Sequence, residues 1–299
     1  MILRLLTTTP VAPARRACAI FTLVTGLPVE CVSLPPVRAR AALADDPDGF
    51  DVYVDPDPVF LVDAARRGLL LPWGRAGLGL TPMGNDAAGF AAVGLSVLGI
   101  CYSTATLDAP PTWADLITPV FAGKVAVKDP RATGQASSEL RETLAAAFGE
   151  SYLRRLAGQS VVVPDGRAAA EAVEAGVALA APCMPLQAVL PFQAAGAAIA
   201  WTKPEPFTAA VLYLAVSACS HHPVQARALA RFLLAAEGSH AWNSGPGDRS
   251  PLDPDISGWG RPVGGTAVPQ AMVSSRRSEV PFEWLDVPGG GGSSLQDPS

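Results

Sequence analysis

An α/β fold, with parallel sheets wrapped by helices and split into two units, is what the sequence predicts. Three observations carry that expectation. Apolar stretches of strand length alternate with amphipathic stretches of helix length over residues 2–68, and again over residues 125–236. Two extended apolar runs, 87–103 and 207–217, bracket the second series and suit strands that cross between the units. A chain of 299 residues is also longer than one hydrophobic core usually serves.

Each element has a local reason. Residues 2–6 form a strand that runs into three hydroxyls, Thr7, Thr8 and Thr9, before Pro10. Residues 11–25 put Ala17, Ile20, Phe21 and Val24 on one helical face, with Gly26 placed as a C-cap. Alternation predicts a strand over 28–33, then a short helix over 36–44 and a strand over 50–54. Asp55-Pro56-Asp57-Pro58 combines capping carboxylates with prolines suited to a first turn, and starts a helix that ends at Gly68. Residues 71–85 form a loop, and 87–103 is strand-like but interrupted at Gly94 and Gly99.

The second series opens with a short capped helix at Trp113, a Gly123-Lys124 turn and a strand over 125–127. Helices are expected over 135–148, 150–156, 166–175 and 184–194, and strands over 161–163, 177–181 and 198–201. After the return run, a helix over 223–236 presents Ala226, Leu229, Ala230 and Leu233 on one face. Beyond Gly238 the chain is rich in Gly, Pro and Ser, and 288–299 reads as a disordered tail.

Composition excludes several functions. A net charge of −5, without a basic patch interleaved with aromatics, argues against nucleic acid as a partner. No apolar run reaches the roughly 18 residues of a membrane span. The first apolar run is too short for a secretory leader, which leaves three origins open: a cytoplasmic chain, a mature form with a new Met, or one lacking its leader. Cys18, Cys31, Cys101, Cys183 and Cys219 are far apart, odd in number and without a CxxC pair, so buried thiols are expected rather than disulfides or a metal set. His221 and His222 fit a helix start better than a metal site. No nucleophile elbow, P-loop or HExxH occurs, so no catalytic residue, metal ligand or cofactor is assigned and the protein is expected not to be an enzyme.

One loop stands out. Arg131, Thr133, Gly134, Gln135 and Ser137 join a strand to a helix start, where free backbone N–H groups and the helix dipole face one point. That arrangement suits an anion, although an ordinary strand-to-helix connection accounts for the residues equally well.

Five segments carry a wider resemblance, in collinear order over residues 3–240. They are Thr25-Gly26-Leu27-Pro28-Val29; Phe50-Asp51-Val52 with Arg67-Gly68-Leu69-Leu70; residues 86–93; Trp113-Ala114-Asp115-Leu116 through Gly123-Lys124-Val125 to Asp129-Pro130; and His222-Pro223 to Glu237-Gly238. In these the chain resembles the iron(III)/thiamine/polyamine-type extracellular solute-binding proteins of ABC importers, which have the type II periplasmic-binding fold.

The resemblance implies two α/β lobes, each a mixed, mainly parallel sheet flanked by helices, joined by crossing hinge strands. Lobe 1 would hold residues 1–99 and about 210–260, and lobe 2 residues 100–209. Residues 261–287 would be a C-terminal segment packing back across the lobes. A ligand would be trapped between the lobes without chemistry, and the closed monomer presented to an importer permease in the periplasm or outside the cell. The cleft would draw on Thr8 and Thr9 beside Thr7, on Asp55 and Asp57, on Cys101 and Tyr102, and on Arg131, Thr133, Gly134, Gln135 and Ser137.

Cys183 completes that set, and it marks a departure. Iron-binding members carry two adjacent tyrosines where this chain reads Ala181-Pro182-Cys183-Met184, and none of its four tyrosines are adjacent. Ferric iron prefers oxygen donors, so direct iron binding is not expected. Arg131 favours an anionic organic ligand such as a phosphonate, a phosphate ester or a carboxylate. Asp55 and Asp57 would suit a polyamine or another cation, and a cytoplasmic ligand-sensing module of the same fold is a further alternative.

Overall fold

Three parallel strands start the architecture. β1 (Leu3–Thr7) lies between β2 (Val29–Ser33) and β3 (Val52–Asp55), with Leu5 opposite both Cys31 and Val52. Helices α1 (Val11–Thr25) and α2 (Pro36–Asp45) connect them, and α3 (Pro58–Arg66) follows β3. The computed structural model describes residues 1–73, 84–85, 88–129, 135–245 and 248–252, with the backbone alone at 84, 85, 135–139, 208 and 249.

α1 stops where expected. Gly26 takes the left-handed conformation at φ 73° and donates its N–H to the Thr22 carbonyl, a geometry that strains any residue with a Cβ. The buried stripe is Ala14, Ala17, Cys18 and Phe21, while Val24 is exposed. The apolar face keeps the expected Ala17, Ile20 and Phe21 but begins a turn earlier and ends before Val24.

The sheet continues through two long strands. β5 (Phe90–Ser103) and β10 (Thr208–Val216) are antiparallel to each other, and β10 is also antiparallel to β3. The first half of β5 takes β10, β4 (Gly84–Asn85) and β11 (Asp248–Arg249) as partners. Its second half takes β8 (Ala180–Pro185) and β9 (Ile199–Thr202). β6 (Val125–Lys128) then pairs in parallel with β8 and with β7 (Ser160–Val163). The resulting order is β2-β1-β3-β10-β5-β8-β6-β7. Flanking helices are α4 (Gln135–Phe148), α5 (Glu150–Gly158), α6 (Gly166–Glu174), α7 (Leu186–Ala194), α8 (Pro223–Leu234) and α9 (Ala236–Asn243). This mixed sheet with helices on both faces is the type II periplasmic-binding architecture, as expected.

Strand alternation sorts the core into faces. In the first half, Leu3, Leu5, Val52 and Val54 join Phe21, Leu229 and Trp242, while Leu6 and Tyr53 point the other way to Leu43, Leu61 and Phe90. In the second half, Ile100, Tyr102 and Val125 pack with Trp113, Leu144 and Leu153, while Cys101 and Ala126 face Val173, Met184 and Ile199.

Several boundaries differ from expectation. β5 runs unbroken through Gly94 and Gly99. A Cβ on Gly99 would lie 2.2 Å from the Thr202 carbonyl oxygen and 2.6 Å from the Trp201 ring, and one on Gly94 would meet Trp242 and Asn243. Both glycines are therefore seats for tryptophans rather than breaks. β8 runs past the strand end expected at 181, through Pro182 and Cys183 and into Met184, where the sequence starts a helix, because Met184 and Pro185 pair with Gly99 and Leu98. Trp113 leads into two short 3-10 turns, Asp115–Ile117 and Pro119–Phe121, and α9 follows α8 where only a Gly-rich segment is expected. Residues 253–299, with the two C-terminal segments predicted there, lie outside the described residues.

Candidate functional site

In parallel α/β sheets the carboxyl ends of the strands present the loops that bind ligands. At the end of β1, the hydroxyl of fully buried Thr7 contacts the Thr9 hydroxyl at 2.8 Å and accepts from the Thr9 N–H at 3.1 Å. The Thr8 N–H reaches Val54 O at 3.0 Å, which ties this turn to β3, and Ser33 donates to Thr9 O at 2.8 Å. Thr8 and Thr9 are both half-buried. The next helix, α1, has Pro10 at its N-cap and therefore no capping side chain for its first turn.

Asp55 and Asp57 come together, but around a residue of the protein itself. Arg40, from α2, donates to the wholly buried Asp55 carboxylate through Nε at 3.1 Å and Nη2 at 2.9 Å. Tyr53 donates its hydroxyl to the same carboxylate at 2.7 Å, and the Asp57 N–H at 2.8 Å. Asp57 caps α3 by accepting from the N–H groups of Val59 and Phe60, and its second oxygen lies 3.2 Å from Arg40 Nη1. Arg40 also lies 4.9 Å above the Phe60 ring. Burial works against its charge, but the Asp55 hydrogen bonds and the charges of both aspartates outweigh that, and the guanidinium is held above the ordinary arginine value. Burial, and then the Asp55 charge, push the Tyr53 phenol well up, so it stays a donor.

The residues expected from the second unit fall in three places. Cys101 and Tyr102 sit on opposite faces of β5, both buried, and burial pushes the Cys101 thiol up to about 12. Tyr102 packs in the apolar cluster of Trp113, Val125 and Leu179. Cys183 has φ 60°, in the left-handed region that a residue with a Cβ rarely enters. It lies where the β5–β8 register shifts between Gly99 and Cys101, a bulge that turns its carbonyl to accept from Lys128 Nζ at 2.6 Å. Arg131, Thr133 and Gly134 lie outside the described residues, and Gln135 and Ser137 are described only as backbone in the first turn of α4.

Arg40 and Lys128 are the side chains among these contacts that sequence reading missed. Arg40 is fifteen residues from Asp55 with no motif between them, and only the β1–β3 pairing with α2 alongside brings them together. Lys128 had a signal, since it ends the strand that leads to the Arg131 loop. Among the described residues no three His, Cys, Asp or Glu side chains gather as a metal site, and no helix is long and apolar enough to cross a membrane.

The carboxyl ends of β1 and β3 thus carry the Thr7–Thr9 hydroxyls and the Arg40–Asp55 pair, and that of β6 carries Lys128. Residues 5–245 match the family described as bacterial extracellular solute-binding protein, and the chain belongs to that family. Its fold is similar to that of iron-bound HitA from Pseudomonas aeruginosa, at 20% identity and TM-score 0.64 over 82% of this chain and 84% of HitA. AfuA from Actinobacillus pleuropneumoniae, solved with exogenous fructose-6-phosphate, is 18% identical, with TM-score 0.64 over 80% and 81% of the two chains. The periplasmic binding protein P5PA matches over 95% of this chain and 93% of its own, at 17% identity and TM-score 0.65. No curated protein sequence matches the chain. At such identities the shared feature is the fold.

Proposed function

We propose that the chain captures a small anionic organic solute, such as a phosphonate, a phosphate ester or a carboxylate, and delivers it to an ABC importer permease without chemical conversion. The solute would lie between a first lobe of residues 1–99 and about 210–260 and a second of 100–209, beneath Thr8, Thr9 and the loop from Arg131 to Ser137. One observation carries the choice of charge. Asp55 already accepts four hydrogen bonds from within the protein, two of them from Arg40, and Asp57 is shared between Arg40 and the cap of α3. Neither Asp55 nor Asp57 is therefore left over to hold a cationic amine. The segment after β6 brings Lys128 and, by sequence, Asp129 and Arg131, two cations to one carboxylate. The fructose-6-phosphate of AfuA shows that this fold accommodates a phosphate ester. The iron of HitA is a poorer guide, since this chain has Pro182 and Cys183 where adjacent tyrosines would be needed.

Thermal-shift measurements against phosphonates, sugar phosphates, dicarboxylates, polyamines and ferric chelates test the reading. An anion is expected to raise the melting temperature, and joint Arg131→Ala and Thr133→Ala substitution to abolish that rise. Stabilisation by a polyamine or ferric chelate alone would overturn the charge assignment. An anion shift that survives the substitutions would overturn the site.

A further inference from the structure

Where the two halves of the sheet cross, residues from separate segments converge on one point. Asp248 lies on β11, paired with Ser96 in the first half of β5, and is buried. Gln187, in the first turn of α7, donates its side-chain amide to the Asp248 carboxylate. α7 belongs to the second half, since its Val189 packs among Cys101, Ala126 and Val173. Arg16, from α1 of the first half, reaches the same place and donates through Nη2 to Trp242 O at 3.2 Å. Gly245 leaves room for all three. A Cβ there would lie 2.8 Å from Gln187 Nε2, 3.0 Å from Arg16 Nη2 and 3.2 Å from Asp248 Oδ2. The Gln187–Asp248 hydrogen bond therefore joins the halves by side chains, outside the strand ladders. It lies close to the register shift between Gly99 and Cys101, so bending of β5 at that shift changes its length.

We propose that Gln187 and Asp248, seated by Arg16 and Gly245, form a strap across the hinge that holds the two halves in the arrangement of this structure and lets go as the Asp248 carboxyl ionises. The groups that face this carboxyl are Arg16 from α1, Gln187 from α7 and Ser96 from β5. α7 and β5 carry no Asp, Glu, Lys, Arg or His, and Glu237 and His240 of α9 are exposed. Arg16 is thus the one charge from the facing elements that acts on Asp248 among the described residues. Burial outweighs it and the two hydrogen bonds, and the acid is raised from 3.8 to about 6. As Gln187 withdraws and water reaches the carboxyl, its value returns toward 3.8. Loss of the proton therefore favours the released arrangement, and the strap loosens as pH rises through about 6. The two values limit the change in the released-to-strapped ratio to about 100-fold. Nothing in this device depends on which solute is bound.

Double electron–electron resonance on the full-length protein, without added solute, tests the strap. Nitroxides are placed through Arg38→Cys on α2 and Arg154→Cys on α5, exposed positions on opposite halves, with exposed Cys219 changed to Ser. A protein lacking the two added cysteines corrects for any label on half-buried Cys31. With the strap intact, the interlabel distance distribution is expected to shift between about pH 4.5 and about pH 7.5. Asp248→Asn is expected to keep the acid distribution at both values. Gln187→Ala is expected to show the released distribution already at about pH 4.5. So is Gly245→Ala, whose Cβ meets only the ends of the Gln187, Arg16 and Asp248 side chains and so dislodges the amide with the fold intact. Three results would overturn the proposal. They are a distribution that does not change with pH, a pH shift that survives Asp248→Asn, and an acid distribution untouched by both Gln187→Ala and Gly245→Ala.

Discussion

Replacing Arg40 by Met would remove both the charge and the two hydrogen bonds that it gives to Asp55. The carboxylate is wholly buried, and of its four donors only the Tyr53 hydroxyl and the Asp57 N–H would remain. Met keeps an unbranched apolar stem, so the effect isolates the guanidinium, including its contact with the Phe60 ring. Leaving one partner of a buried pair uncompensated costs about 3–5 kcal/mol. Removing Asp55 as well, as Arg40→Met with Asp55→Asn, eliminates the stranded charge while Asn retains an acceptor for Tyr53. The double variant is therefore expected to recover about 2 kcal/mol relative to Arg40→Met, as coupled neighbours do. Urea unfolding at neutral pH measures all four species of this cycle. A loss below about 1 kcal/mol for Arg40→Met would refute the reasoning, as would a double variant no more stable than the single one.

Other consequences are equally specific. Asp248, buried beside Ser96, Gln187 and Arg16, is raised from 3.8 to about 6, chiefly by burial, against the Arg16 charge and the Gln187 hydrogen bond. An acid raised in the folded state binds its proton more tightly there, so this group's contribution to stability is greatest below 3.8 and falls as pH rises to about 6. The shift corresponds to roughly 3 kcal/mol, and Asp248→Asn is expected to flatten that part of the pH–stability curve and to raise stability at neutral pH. An unchanged slope in pH-dependent melts would contradict it. Gly99→Ala forces a Cβ against the Thr202 carbonyl and is expected to cost about 1–3 kcal/mol in thermal denaturation, whereas a tolerated change would mean that β9 yields. Cys101, with its thiol held up near 12, is expected to resist maleimide until the protein unfolds, while exposed Cys219 labels at once.

Much of the fold is legible from local pattern, because its elements terminate on local chemistry. Gly26 ends α1, and Asp57 with Pro58 starts α3, as their residue types require. Legibility fails where a distant residue decides. Gly94 and Gly99 look like breakers until Trp242 and Trp201 are seen lying against them. Pro182 and Pro185 discourage a strand, yet β5 keeps the segment in the sheet by pairing with Ala181 before the Cys183 bulge and with Met184 and Pro185 after it. α9 is obscured by Gly238, which is small because a Cβ there would meet the Phe232 carbonyl at 2.1 Å. The candidate site divides in the same way. Hydroxyls and carboxylates at strand ends can be read directly, but whether a carboxylate is available to a ligand depends on Arg40, which no spacing reveals.

β5 sets how the two halves of this molecule can move. Its fourteen residues take partner strands on both halves, so the halves are joined through the sheet itself. They are two ends of one woven ribbon. Bending such a ribbon is least costly where rungs are already out of step, and two such places exist: between Gly99 and Cys101 on β5, and between Leu212 and Tyr213 on β10. Opening and closing would then work as the flexing of a leaf spring at two soft points, with the ladder elsewhere intact. The elasticity of two strands, more than any loop, would set the resting gape.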